Sequence, residues 1–217
     1  MNKTKSTNSA FLLYLITLLV AVYIIVIYMI MDPTKYPFME AKMNINEISF
    51  SLWKSLFYAH IIIGFISLAT GTIQFTKGVQ EAGKTHKVLG IIYTTTIFIN
   101  ALVVPYLAFY ATGGLLSSIA FLTLDTLWLL TTWIGVWRMA QGKSHLHREW
   151  MQRSFAMTLV FVTFRLLLSL LSLILPENLD LAYPISISAA MVVNLLVVEI
   201  FIHRKRKNTI IQPIISA

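Results

Sequence analysis

Few side chains among these 217 residues can bind a cofactor, hold a charge in an apolar setting or move a proton: five histidines, nine carboxylates and no cysteine. The lack of cysteine excludes disulfides, thiolate metal sites, iron–sulfur ligation and cysteine nucleophiles. His86 and His147 each stand just before a long apolar run, at matching depth on segments that run in the same direction. A b-type haem in a helical bundle needs an axial nitrogen, often from two histidines on facing helices. His86 and His147 are therefore the candidate ligands of a haem b. The competing reading makes both of them solvated histidines among lipid headgroups. His60 is the only histidine well inside an apolar run. His145 and His147 form a His-x-His step, but no further ligand pattern accompanies it, and no metal site is expected.

A second constellation lies deeper in the apolar runs. Charged groups near the centre of a membrane helix cost at least about 2.5–3.5 kcal/mol, so Asp125 and Arg165 need a reason to be there. Counted from the outer ends of the fourth and fifth segments, both fall roughly 13–15 Å deep. These segments are consecutive and antiparallel, so an Asp125–Arg165 ion pair is expected. His60, Asn100 and Asn194 fall at the same depth on the second, third and sixth segments. The layer fits a site for a quinone-like ligand or for haem propionates, a gate or proton relay, or plain helix packing. On the second segment His60, Gly64, Ser67, Gly71 and Gln74 recur at steps of four and three, as one polar, small-residue stripe. Such a stripe packs against another helix or leaves a groove beside a flat ligand such as a porphyrin or quinone. Gly113-Gly114 is a turn signal, too short to cradle a phosphate.

The elements that must carry these residues are apolar helices. Hydrophobic residues make up 57% of the chain and charged residues 12%, too few to cover a soluble surface. Six runs are long enough to cross a hydrocarbon core, at about 11–31, 52–76, 88–110, 115–137, 152–175 and 184–203. They end at Asp32-Pro33, at a polar stretch from Lys77 to Lys87, at Thr112-Gly113-Gly114, at Gln141-Gly142-Lys143 and at Pro176-Glu177-Asn178. Pro105 falls inside the third segment and Pro184 suits the start of the sixth. The first run is too long for a signal-peptide core and reads as a retained helix.

Trp53, Phe57 and Tyr58 open the second segment as an interfacial aromatic belt. The net charge is +8, and most basic residues, from Lys3 and Lys5 to the tail Arg204-Lys205-Arg206-Lys207, fall on one side of the membrane. The positive-inside rule then puts both termini in the cytoplasm. This placement explains the charge without nucleic acid as a partner. The basic tail reads as a topology anchor that also touches anionic lipid.

Several stretches resemble a bacterial membrane-protein family of unassigned role, domain of unknown function 2306. They are His60-Ile61-Ile62-Ile63-Gly64-Phe65, Gly71-Thr72-Ile73-Gln74-Phe75, His86-Lys87-Val88-Leu89-Gly90-Ile91-Ile92-Tyr93, Phe109-Tyr110-Ala111-Thr112-Gly113-Gly114 and His147-Arg148-Glu149-Trp150-Met151-Gln152-Arg153-Ser154. This resemblance implies a bacterial inner membrane and offers no chemistry. His60, His86, His147 and the segment His86-Lys87-Val88-Leu89-Gly90 also resemble the transmembrane di-haem cytochromes b. The fourth segment departs from that pattern, with Asp125 and no histidine, so the resemblance implies one inner haem site at most.

The expectation is an all-α integral membrane bundle of six transmembrane helices, forming one transmembrane domain over residues 1–217. Its function is read as haem-linked membrane redox or electron transfer. The alternatives are a small-molecule or proton transporter with a midplane polar site, and a non-catalytic assembly protein of a membrane complex.

Overall fold

The structure is a computed structural model describing residues 3–31, 39, 42–43, 49–75, 79–80, 82–176 and 178–215. Asp32, Pro33, Lys77, Gly78 and Glu177 lie outside the described residues. The described regular structure is helical: α1 (Lys3–Ile24, continued by a π-helical turn over Ile25–Ile30), α2 (Phe50–Gln74), α3 (Gly83–Phe109), α4 (Gly114–Ala140), α5 (Ser144–Thr158), α6 (Val160–Ile174) and α7 (Leu179–Ile215). Among the described residues, six helical spans are long and apolar enough to cross a membrane, with α5 and α6 together making the fifth. The chain is an all-α, multi-pass membrane protein, because helices satisfy every backbone polar group within one segment where lipid offers none.

The spans run longer than the apolar runs alone. The third begins at Gly83 and the fifth at Ser144. His86, His145 and His147 are therefore inside the first turns of α3 and α5 rather than in loops before them. Polar side chains continue a helix through the headgroup layer, which adds roughly 10–15 Å to the hydrocarbon thickness. Similarly, α7 starts at Leu179, five residues before Pro184, and α3 runs through Pro105 to Phe109.

Two compact units are resolved, residues 1–112 and 113–217. In the first, α2 and α3 form an antiparallel pair. The stripe on α2 packs directly on α3: Gly64 backs onto the Asn100 amide, Ser67 Oγ donates to Thr96 Oγ1 at 2.8 Å, and Gln74 Nε2 donates to the His86 carbonyl at 3.2 Å beside Gly90. The small residues thus admit a helix, and the alternative of a ligand groove along this stripe falls. At one end, Trp53 is 3% exposed and packs with Met39, Phe50, Phe57, Tyr106 and Tyr110. Its ring stacks on Phe57 with centroids 5.0 Å apart. Trp53 is thus the centre of an aromatic core and not part of a lipid-facing belt. Helix α1 adds Tyr28 to this core, its ring edge-on to Phe57 and Tyr58 with centroids 5.8 and 6.1 Å apart, although 6% of the span as a whole is buried. It meets α2 through Thr17 and Thr72, whose hydroxyls lie 2.8 Å apart.

In the second unit, α4 and α7 begin side by side at Gly113. That glycine has φ +89°, and a Cβ there would run into Ser117 Oγ, Tyr183 Cβ and the Asp180 carbonyl. Both the left-handed backbone and the close approach of the two helices require glycine. On one face of α7, Ala182, Ser186, Ala190, Val198 and Ile202 are buried at steps of four or eight, with Asn194 half-buried among them. The small members let its neighbours approach closely. Trp133 and Trp137, toward the C-terminal end of α4, are 59% and 50% exposed and stand where an interfacial aromatic belt would.

Candidate functional site

The polar residues expected in one layer separate by unit. His60 and Asn100 belong to the first. Asn100 is fully buried, and its Oδ1 accepts from His60 Nδ1 at 3.0 Å. Asp125, Arg165 and Asn194 belong to the second, and there the expected Asp125–Arg165 ion pair does not form. Arg165 instead lies over the rings of Phe161 and Phe164, 5.7 Å from each centroid. Its Nε is buried without a hydrogen-bond partner among the described residues.

A break in the fifth span accounts for this. Helix α5 ends at Thr158 and α6 restarts at Val160, with Leu159 as the joint. Before the joint, the span is bonded to α4: Trp128 Nε1 donates to Thr158 Oγ1 at 3.0 Å, and the Thr132 and Ser154 hydroxyls lie 2.7 Å apart. Beyond it, α6 packs chiefly on α7, and Phe164 sits between Phe121 of α4 and Tyr183 of α7. Beyond the joint, Arg165 is carried on a helix that packs chiefly on α7.

Asn194 holds the joint. Its Nδ2 donates to the Ala156 carbonyl at 2.9 Å, and its Oδ1 accepts from Thr163 Oγ1 at 2.9 Å. A single side chain on α7 therefore bridges the last turn of α5 and the first turn of α6. Side chains that enter the backbone ladder in this way are a recognised cause of helix kinks.

Asp125 is 8% exposed, on the same face of α4 as Phe121 and Trp128. Their contacts with Phe164 and Thr158 straddle Leu159, so Asp125 is level with the joint. Its Oδ1 is buried with no hydrogen-bond partner among the described residues. Two further buried hydroxyls of this unit, Ser117 Oγ and Ser186 Oγ, share that condition.

The histidines near the helix starts are placed as follows. His147, half-buried in the first turn of α5, approaches the Gly135 carbonyl of α4 with Nδ1 at 2.8 Å. A carbonyl only accepts, so Nδ1 carries the proton. In the neutral ring Nε2 then keeps its lone pair. His86, half-buried in the first turn of α3, offers its carbonyl to Gln74. His145 is exposed. No group of three histidine, aspartate or glutamate side chains able to hold a metal is found among the described residues.

One feature escaped the sequence reading. At the basic end of the second unit, Arg153 grips Glu199 through two bonds, Nε–Oε1 2.5 Å and Nη2–Oε2 3.0 Å. Arg206 likewise holds Glu149 through both oxygens. The signal was present as carboxylates and arginines inside the ends of two apolar helices.

A helical membrane bundle with a broken span and a buried carboxyl defines only a class, that of multi-pass membrane proteins. Within that class the family is specific: the family model described as "Predicted membrane protein (DUF2306)" matches residues 57–202, and the chain belongs to this family. No curated protein and no solved structure matches it.

Proposed function

We propose that this protein is a membrane transporter whose transport step is coupled to a proton exchanged at Asp125. The observation that carries this reading is the buried, unpartnered Oδ1 of Asp125 level with the break at Leu159. An ionisable side chain inside a span is a functional group by default, because packing alone does not repay its insertion cost. Interrupted helices near the bilayer midplane are where transporters build their sites, since chain ends there offer free backbone groups and a place to bend. Asn194 and Thr163 would position the joint, and Arg165 would supply the counter-charge in a second conformation. The bias of basic residues to one side supports an orientation with both termini in the cytoplasm, and membership of the family supports a bacterial inner membrane as its location.

The test is infrared difference spectroscopy across a pH step on the protein in lipid. The expected result is a protonated-carboxyl carbonyl band that follows pH in the wild type and is absent in Asp125→Asn. A band that does not titrate, or that persists in Asp125→Asn, removes Asp125 as the carrier.

A second reading, haem binding, is favoured by one observation: the Nδ1–Gly135 bond gives His147 the tautomer and fixed ring that iron-ligating histidines use. A reduced-state visible spectrum with b-type bands that vanish in His147→Ala would support it. Colourless folded protein from haem-replete cells would end it.

A further inference from the structure

Two buried hydroxyls near the start of the second unit have no role in the reading so far. Elsewhere in the spans, hydroxyls bond back to a carbonyl one turn earlier on their own helix, as those of Ser118, Thr126, Thr131 and Ser169 do. Ser117 and Ser186 do not. Both residues are 0% exposed, and neither Oγ finds a hydrogen-bond partner among the described residues. Ser117 Oγ lies in the crease between α4 and α7, since a Cβ on Gly113 would touch it and Tyr183 Cβ together. Ser186 is on the buried face of α7, one turn after Ala182.

The two serines also share a depth. Ser117 precedes Asp125 on α4, and Ser186 precedes Asn194 on α7, by the same eight residues. That puts each about 12 Å from the level of the joint, at about 1.5 Å per residue. Ser117, Phe121 and Asp125 follow one another at steps of four, as do Ser186, Ala190 and Asn194. Midway along the first row the Phe121 ring stands edge-on to Phe164 of α6, centroids 5.9 Å apart. Toward the basic end the polar groups satisfy each other instead, at Thr132–Ser154 and Trp128–Thr158.

We propose that Ser117 and Ser186 hold water that passes protons between the Gly113 end of the unit and Asp125, with the Phe121–Phe164 contact as its gate. This inference rests on Asp125 as the proton carrier and adds the route by which its proton travels. A buried hydroxyl without a protein partner recovers its hydrogen bonds from a buried water. Because a hydroxyl both donates and accepts, each proton it takes from the water on one side is matched by one released on the other. The net charge of the serine is the same before and after, and bulk water is the source of the proton. Phe164 rides on α6, so bending at Leu159 draws it away from Phe121 and opens the last step to Asp125.

The chain has no cysteine, so a single introduced thiol reports alone. The test uses the full chain in lipid nanodiscs and silver ion, which is small enough to follow a file of water. Ser117→Cys and Ser186→Cys should react about tenfold faster than Ser154→Cys, an equally buried serine on the other side of the joint that water reaches only by local unfolding. Equal rates overturn the water path. The second measurement is the rate at which the Asp125 carboxyl band shifts in deuterated water. Ser117→Ala/Ser186→Ala should slow it about tenfold, by removing the hydroxyls that hold the bridging water. Phe121→Leu should speed it. The alanine variant removes only oxygens and keeps the test open where a cysteine variant does not fold. An unchanged shift in the alanine variant overturns the route while leaving Asp125 as the carrier. A wild-type carboxyl band that does not titrate overturns the carrier and the route together, and the silver rates then show separately whether water reaches the serines.

Discussion

In residues 1–112, helices are joined by polar side chains without carboxylate or guanidinium groups: an imidazole on an amide at His60–Asn100, and hydroxyls on hydroxyls at Ser67–Thr96 and Thr17–Thr72. In residues 113–217, formal charges enter the spans: Asp125 and Arg165 near the joint, and Arg153 with Glu199 near the basic end. The first unit joins α2 to its neighbours α1 and α3 through these uncharged amide and hydroxyl contacts, with no ion pair between them among the described residues. Arg153 with Glu199 bridges α5 and α7, but Asp125 and Arg165 form no ion pair among the described residues, and their cost of insertion calls for another use. The unpartnered carboxyl of Asp125, rather than the amide layer as a whole, is where that use is sought.

The strongest challenge to the contrast is Trp53→Ala. It empties the aromatic core of the first unit and should cost about 3–5 kcal/mol in detergent-solubilised unfolding. A loss below about 1 kcal/mol would show that the cluster is decoration and that the first unit relies on something else. Asn194→Leu and Asp125→Leu come next, with opposite signs. Asn194→Leu removes two bonds that brace the joint and should destabilise by about 1–2 kcal/mol. Asp125→Leu replaces an unpartnered polar group by an apolar one and should stabilise by about 1 kcal/mol while abolishing proton exchange. If Asp125→Leu destabilises instead, the carboxyl has a structural partner and the contrast fails.

The smallest effect concerns Lys42, outside the spans and 6% exposed. Burial holds its amine below the ordinary lysine range. With the folded-state value below the unfolded one, charge on Lys42 opposes folding. Stability therefore rises as pH climbs from the lowered value to the unfolded one. Lys42→Met should raise the unfolding temperature at neutral pH, and the gain should shrink as pH enters the lysine range. A gain that does not change with pH would point to packing as its cause.

The sequence disclosed the number and order of the spans because the bilayer imposes a length and a composition that can be counted. It also disclosed which polar residues lie deep. It did not disclose which of them meet, since depth along a helix is legible but rotation and bending are not. Asp125 and Arg165 share a depth and were expected to pair. The joint at Leu159 has no proline or glycine to announce it, and it depends on Asn194 in the next span. The stripe from His60 to Gln74 was legible as a face, yet only α3 seated against it shows what it faces. The ion pairs of Glu149 and Glu199 were missed because both glutamates lie in segments dominated by basic and apolar residues.

The first span has a consequence for how the chain can change over generations. With 6% of its span buried, it meets α2 at two places, Thr17 on Thr72 and Tyr28 against Phe57 and Tyr58, and presents apolar side chains over most of its remaining surface. Selection can read that helix mainly as a length of oil-soluble chain and hardly as a set of particular side chains. The family match begins at residue 57, after this helix. Among relatives the segment should drift freely from one apolar residue to another, and an unrelated membrane anchor spliced in its place should leave the remaining spans intact.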